Sequence, residues 1–169
     1  RGVILATAHL GSFDLAVQAL VARLAKLNVF VEPLQPEPLF RHVTSLRESK
    51  GLTCLPAGSD TLKESILSLQ RGEVVAMVCD RNIRGNGMRV KFFGEETALP
   101  AGAIVLALRT GAAIVPVFNV RRDNNKFDVY IEPPLRLVNS GNHRVCVQTN
   151  LEKLIAVIEE YIRRYPEQW

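Results

Sequence analysis

Short apolar runs alternate along the chain with longer segments whose apolar residues recur at three- and four-residue spacing. The runs predict strands buried on both faces, at Val3–Ala8, Asn28–Val31, Leu52–Leu55 and 73–80. The periodic segments predict helices, one after Ser12, one over about Pro38–Lys50 and one capped by Ser59 or Asp60. This alternation is typical of an α/β fold with a mixed, largely parallel central sheet flanked by helices.

The pattern changes after residue 80. Residues 81–91 form a polar, glycine-containing loop that leads to a short strand, VKFFGE, and Pro100 opens a small helix. The segments AAIVPVFNV and KFDVYIEPPLRL predict a hairpin around Asp123–Asn125, and a last amphipathic helix is predicted from about Asn150 to Arg164. With no internal repeat or linker, residues 1–169 are interpreted as a single domain.

Composition narrows the class of protein. With 47% hydrophobic residues in 169, the chain can bury a core, and its three cysteines lie in apolar stretches typical of reduced thiols. A net charge of +4 permits an anionic partner such as phosphate, a phospholipid surface or nucleic acid, without selecting one. The chain starts within an apolar run and ends at YPEQW without a capping signal, so we expect a fragment of a longer protein.

The stretch ATAHLGSFDLA, residues 6–16, carries the first candidate chemistry. It places His9 at the carboxyl end of a predicted strand, where α/β sheets collect their sites, and Asp14 in the first turn of the next helix. We expect the Asp14 carboxylate to return to one imidazole nitrogen, leaving the other to accept a proton from a hydroxyl. The same spacing also fits a hydrogen-bonded turn histidine and an aspartate that favours the helix dipole.

No nucleophilic serine accompanies this pair. The chain has no G-x-S-x-G elbow, and Ser12 occupies a capping position. A histidine–aspartate pair without a protein nucleophile suits direct attack by a substrate hydroxyl on an activated acyl group.

A second cluster follows the clearest buried strand. Asp80 closes that strand and is expected at the same sheet edge as His9. The loop behind it holds four cations and no acid, at Arg81, Arg84, Arg89 and Lys91. Such a loop attracts anionic groups, for example the phosphates of coenzyme A or of a lipid head group, although a solvated loop has the same composition.

Several blocks, in order, resemble one family. HLGSFD resembles the H-x4-D/E signature of the lysophospholipid acyltransferase superfamily. The chain is most similar to the branch of the bacterial lipid A biosynthesis (lauroyl/myristoyl) acyltransferases and phosphatidylinositol mannoside acyltransferase. The blocks are AHLGSFD (8–14), PLFRHVTSLRESKG (38–51), VVAMVCDRN (74–82), VKFFGEETALPAGAIVLALRTGAAIVPVF (90–118) and YPEQW (165–169).

The resemblance implies three catalytic residues. His9 would be the general base that deprotonates the acceptor hydroxyl. Asp14 would be its orienting partner, at a position where this branch more often has glutamate. Asp80 matches the acidic position of the third block and is included with them.

It also implies a set of substrate-binding residues. Arg47 would hold an anionic part of the acceptor or donor, and Arg81 would bind phosphate. Arg84 joins this set from the basic loop and not from the resemblance. Gly94 and Glu95 lie in the FFGE block that lines the family's pocket. The Asp-Arg-Asn of the third block is closer to the mannoside acyltransferases than to the lipid A enzymes, which often have glutamine after the aspartate.

The partners implied are an acyl thioester donor, on coenzyme A or acyl carrier protein, and a membrane glycolipid acceptor. The reaction needs no other cofactor and would occur at the cytoplasmic face of the inner membrane, with a monomer favoured. The family's usual N-terminal membrane helix would lie before Arg1. Neither a metal site nor a nucleic-acid-binding module is indicated, and His42 and His143 receive no role.

Two rival functions stay open at this point. Acylation of a lysophospholipid or of glycerol phosphate shares the chemistry, but that branch usually has a proline-glutamate-glycine block where FFGEE stands here. A non-catalytic lipid-binding α/β module would use the basic loop to dock on an anionic membrane. It predicts no turnover, and binding that survives replacement of His9.

Overall fold

Strands and helices alternate through the first half of the chain in the computed structural model, which describes residues 1–21, 26–56, 58–82 and 85–169. The strands are β1 Val3–Thr7, β2 Leu27–Val31, β3 Leu52–Pro56, β4 Val74–Val78, β5 Met88–Phe92, β6 Glu95–Leu99, β7 Ala113–Arg121 and β8 Phe127–Ile131. The helices are α1 Phe13–Val21, α2 Glu37–Glu48, α3 Ser59–Gln70, α4 Gly102–Thr110 and α5 His143–Arg164, followed by a 3-10 turn at Pro166–Gln168.

Six of these strands form one sheet in the order β3-β2-β4-β1-β7-β8. Neighbouring strands from β3 to β7 pair in parallel, and only β8 pairs antiparallel, with β7. The described helices flank the sheet, which confirms the predicted mixed α/β fold. The hairpin predicted around Asp123–Asn125 is the β7–β8 pair.

Alternating side chains of the central strands build a core on each face of the sheet. On β1, Ile4 and Ala6 are fully buried in the larger cluster, which includes residues of α4 and α5. Val3 and Leu5, on the other face, pack against the smaller cluster, to which α1 contributes. This period-2 alternation is why β1 lies at the centre of the sheet between two helical layers.

The last helix begins at His143, seven residues before the predicted start at Asn150. The side chain of Asn142 caps it by accepting a hydrogen bond from the backbone N–H of Val145. Asn150 resembles a cap in the sequence but is fully buried inside the helix, where its amide makes hydrogen bonds of 2.8 Å to both backbone groups of Val138. A long-range partner, absent from local sequence, therefore accounts for this polar residue.

The segment predicted as one strand, VKFFGE, is the turn region of an antiparallel hairpin formed by β5 and β6. The chain reverses at Phe93 and Gly94, whose φ angles of 52° and 88° are both positive. Two positive φ angles at the centre of a two-residue turn match the twist of the flanking strands. Glycine is suited to such a conformation, and Phe93 is the less usual occupant.

Helix α2 packs less deeply than its pattern predicts. Leu39, Val43 and Leu46 share an apolar face, yet no residue of α2 is buried, and Leu39 and Leu46 are exposed. The helix contacts the edge strand β3, while Leu39 and Leu46 of its apolar face remain exposed.

Acid is expected to weaken the start of β4 through Glu73. The Glu73 carboxylate accepts hydrogen bonds from Arg71 at 2.8 Å and from Asn28 at 3.0 Å. The hydrogen bond from Arg71 is the main reason that the pKa of Glu73 falls to about 2. Because the folded pKa lies below the ordinary value of 4.5, this contribution to stability is complete above that pH and is lost as pH falls towards 2.

Denaturant unfolding between pH 7 and 2 measures this effect. The free energy of unfolding should fall less steeply below pH about 4.5 in Glu73→Gln than in the wild type. Glu37→Gln, at an exposed position on α2, controls for the change in net charge. Parallel slopes for the wild type and Glu73→Gln would contradict the prediction.

Candidate active site

His9 and Asp80 come together because they follow adjacent parallel strands in register. Thr7 of β1 pairs with Val78 of β4, and the N–H of Cys79 donates to the carbonyl of Thr7 at 2.8 Å. Two residues beyond that pair, both chains reach the carboxyl edge of the sheet. The expectation that Asp80 arrives at the same edge as His9 is therefore confirmed.

Asp80 holds His9 through two contacts. The imidazole Nδ1 lies 2.9 Å from Oδ1 of the carboxylate, and the backbone N–H of His9 donates to Oδ2 at 3.0 Å. Since a carboxylate only accepts hydrogen bonds, Nδ1 carries the proton in this pair and the lone pair of the neutral ring lies on Nε2. The Asp80 side chain is only 3% exposed, whereas that of His9 is 39% exposed, so the ring can meet a ligand.

The Asp80 carboxyl stays ionised despite its position. Burial by itself raises its pKa, but the hydrogen bonds from His9 and from Trp169 outweigh burial and hold the pKa below its ordinary value. An ionised partner stabilises the imidazolium that forms when Nε2 accepts a proton. The pair therefore has the geometry and charge of a general base with its orienting carboxylate.

Gly11 permits the tight turn that follows His9. Its φ of 58° is left-handed, and a Cβ at this position would lie 2.1 Å from the carbonyl oxygen of Asn119. Only glycine allows β7 to approach the turn so closely. The turn thereby connects β1 to α1 next to the imidazole.

Asp14 takes a different place from the one predicted. Instead of returning to His9, its carboxylate accepts two hydrogen bonds from Arg47, at 2.9 Å from Nε and 3.0 Å from Nη2. The expectation that Asp14 orients the imidazole is thus wrong in this geometry, because Nδ1 is already engaged by Asp80. The bidentate pair ties α1 to α2, and it uses two of the Arg47 donors that were expected to hold an anion.

The basic loop is only partly brought to this edge. Arg81 directly follows Asp80 and is exposed. Its Nη1 lies 3.9 Å from Oε2 of Glu32. Arg84 lies outside the described residues. Arg89 and Lys91 belong to β5 and line a cleft against α5, so they do not continue the loop.

Gly94 and Glu95 lie at the turn of the β5–β6 hairpin and at the first residue of β6. Their neighbour Phe93 packs its ring 6.3 Å from that of Trp169, whose indole in turn contacts Asp80. The FFGE block is therefore linked to the His9–Asp80 pair through Trp169.

An open cleft of about 570 Å³ lies beside the turn that follows His9. Gly11 and Ser12 form one side of it, and the β7–β8 hairpin contributes Arg121 and Arg122. Sequence reasoning missed these two arginines and Trp169. The YPEQW block, one of the blocks that resemble the family, contains the signal for Trp169.

Cys79 does not supply a nucleophile beside this pair. Burial, and then the neighbouring Asp80 charge, raise the pKa of its thiol to about 12. A thiol with that pKa is neutral at physiological pH, and only the thiolate is a strong nucleophile.

Two further findings concern the described residues alone. Within ranges 1–21, 26–56, 58–82 and 85–169, histidine, cysteine and acidic side chains form no group of three that could hold a metal ion. Over the same part of the chain, none of the helices combines the length and apolarity that crossing a bilayer requires.

The fold and the site define the class: an α/β protein with a His–Asp pair of general-base geometry at the carboxyl edge of its sheet. The chain belongs to the bacterial lipid A biosynthesis acyltransferase family, whose sequence model matches residues 1–169.

Curated relatives agree with this assignment. One relative, from Mycolicibacterium smegmatis, is named phosphatidylinositol mannoside acyltransferase. Its alignment with the chain has 31% identity and covers the whole chain and 55% of the relative. A second relative, from Mycobacterium tuberculosis H37Rv, has the same name. Its alignment has 37% identity and covers 68% of the chain and 37% of the relative. The chain thus spans about half the length, or less, of these relatives.

Proposed function

We propose that the protein transfers a fatty acyl group from a thioester of coenzyme A or acyl carrier protein to a hydroxyl of a membrane glycolipid. Nε2 of His9 removes the hydroxyl proton as the alcohol oxygen attacks the thioester carbonyl. The new ester C–O bond forms, the C–S bond breaks, and the proton on His9 passes to the leaving thiolate. The observation that carries the proposal is the hydrogen-bonded His9–Asp80 pair at an accessible sheet edge.

We propose direct transfer, without an acyl-enzyme intermediate, and the state of the neighbouring thiol supports this. The Cys79 thiol, directly before Asp80 in the chain, is buried, and its raised pKa keeps it neutral at physiological pH. The base is therefore available to the acceptor hydroxyl itself, as the sequence predicts.

The acceptor that we propose is a mannoside-type glycolipid. The two mycobacterial relatives carry the name phosphatidylinositol mannoside acyltransferase, and the Asp-Arg-Asn at residues 80–82 resembles that side of the family. Arg81 is exposed next to Asp80, where its guanidinium could pair with the phosphate of such a lipid.

We place the reaction at the cytoplasmic face of the cell membrane. Helix α2 leaves Leu39 and Leu46 exposed and carries the exposed Arg41, with Lys50 just beyond its end. Apolar side chains interspersed with cations favour a surface of anionic lipid.

A transfer assay with matched donors and acceptors tests the proposal. The full-length protein is incubated with acyl-CoA or acyl carrier protein and, separately, with phosphatidylinositol mannoside, a lipid A precursor, a lysophospholipid or glycerol phosphate. Mass spectrometry should detect an acylated mannoside as the main product. A main product from the lysophospholipid or glycerol phosphate would replace the acceptor class, and no product from any pair would refute acyl transfer.

The same purified protein distinguishes acyl transfer from the alternative function, a non-catalytic lipid-binding module. Vesicles that contain the glycolipid should bind the wild-type protein and His9→Ala alike under either function. Only the catalytic function predicts turnover that depends on His9.

A further inference from the structure

The five residues 165–169, here named the strap, lie next to the His9–Asp80 pair. The backbone carbonyl of Gln168 accepts a hydrogen bond of 2.8 Å from the N–H of Gly11. The Gln168 side chain accepts from the N–H of Arg121 at 2.8 Å and donates to its carbonyl at 3.0 Å. The strap is thus fastened both to the turn after His9 and to the end of β7.

These hydrogen bonds place the indole of Trp169, the last residue of the strap, next to the buried Asp80 carboxylate. Nε1 of Trp169 donates a hydrogen bond of 2.9 Å to Oδ2 of Asp80. The ring contacts those of Phe92 and Phe93 at centroid distances of 5.9 and 6.3 Å, which fixes the direction of its N–H group.

The two carboxylate oxygens of Asp80 accept hydrogen bonds from three donors: two groups of His9 and the indole of Trp169. Oδ2 accepts from the backbone N–H of His9 and from Trp169, and Oδ1 is left for the imidazole. Rotation of the carboxylate would break the indole contact and exchange the roles of its oxygens. The orientation that keeps the proton on Nδ1 of His9 therefore depends on two anchors, one of which comes from the strap.

We propose that Trp169 is a positioning residue of this site: its indole N–H holds Asp80 so that Asp80 can hold His9. The effect on rate rests on the proposed function, while the effect on the imidazole does not. Trp169 is 54% exposed, so its ring contributes little to the core, and its specific contribution is the hydrogen bond. Trp169→Phe keeps the ring packing and removes only the donor.

The experiment compares Trp169→Phe with the wild-type full-length protein. A hydrogen bond to a charged group is lost, so kcat should fall roughly tenfold, with KM for the thioester and the Tm unchanged. Nitrogen-15 NMR of the neutral His9 ring should show a smaller fraction of the Nδ1–H tautomer than in the wild type. Tyr165→Phe is the matched control, because it removes a polar hydrogen from another aromatic ring of the strap, paired with Tyr130 instead of Asp80.

The outcomes separate this inference from the proposed function. Equal kcat and equal tautomer fractions in Trp169→Phe and the wild type would overturn it, as would a fall in kcat with an unchanged tautomer. An equal fall in kcat in Tyr165→Phe would also overturn it, because the strap would then act through general packing. If the wild type transfers no acyl group from any thioester, the proposed function fails, and the tautomer fractions alone support or overturn the role of Trp169.

Discussion

Replacing His9 with alanine is expected to lower the rate of acyl transfer by about 10²–10⁴-fold, the usual contribution of a general base. No other described side chain takes the place of Nε2, since Asp80 is buried beneath the ring and Cys79 is neutral. The backbone N–H of His9 keeps its hydrogen bond to Asp80 in the variant, so we expect the fold to persist. The rate is measured as the appearance of free thiol when the thioester is cleaved.

Circular dichroism and a matched histidine variant serve as controls for this result. His143→Ala, at the exposed start of α5, should retain wild-type turnover and Tm. Turnover near the wild-type rate in a folded His9→Ala protein would refute the assignment of His9 as the base.

The second large effect is expected at Asp80. Asp80→Asn should lower kcat by roughly 10²-fold or more, because the amide can donate to Nδ1 and so place the ring proton on Nε2, where it blocks proton acceptance. The carboxylate that stabilises the imidazolium is lost at the same time. The measurement is kcat with saturating thioester, together with the Tm, since Asp80 also accepts a hydrogen bond from Trp169.

Asp14→Asn provides the contrast that distinguishes the two carboxylates. The structure predicts that it leaves the His9 tautomer as in the wild type, because Asp14 bonds to Arg47 and not to the imidazole. Any effect on turnover would then arise through Arg47 and the packing of α1 against α2. If Asp14→Asn shifts the tautomer and Asp80→Asn does not, the pairing described here is wrong.

The difference between Asp14 and Asp80 shows where sequence reasoning is strong and where it fails. Asp14 is the nearer carboxylate along the chain, and a turn at Gly11 made its return to His9 plausible. Asp80 lies 71 residues away, but β4 is hydrogen-bonded directly to β1. Strand ends can be recognised from apolar runs, whereas the order of strands in a sheet depends on how all of the layers pack.

Arg47 and Asn150 show the same limit for binding and for local structure. Arg47 was expected to face an anionic substrate, yet its nearest anion is Asp14 of the neighbouring helix. Asn150 was expected to start a helix, yet it satisfies the backbone of Val138 from inside one. In both cases a polar group finds its partner across the fold. For the fully buried Asn150, the cost of leaving its amide unpaired selects the contact.

The sequence by itself determined the α/β class, the sheet edge that carries the chemistry and the identity of His9 as the candidate base. Each of these follows from local pattern, because periodicity sets the elements and the ends of parallel strands converge. Tertiary structure alone decided which carboxylate serves the histidine, that Asp14 is held by Arg47, and that Trp169 reaches Asp80. Those contacts join residues remote in the chain, and only packing of the complete sheet and its helices brings them within hydrogen-bonding distance.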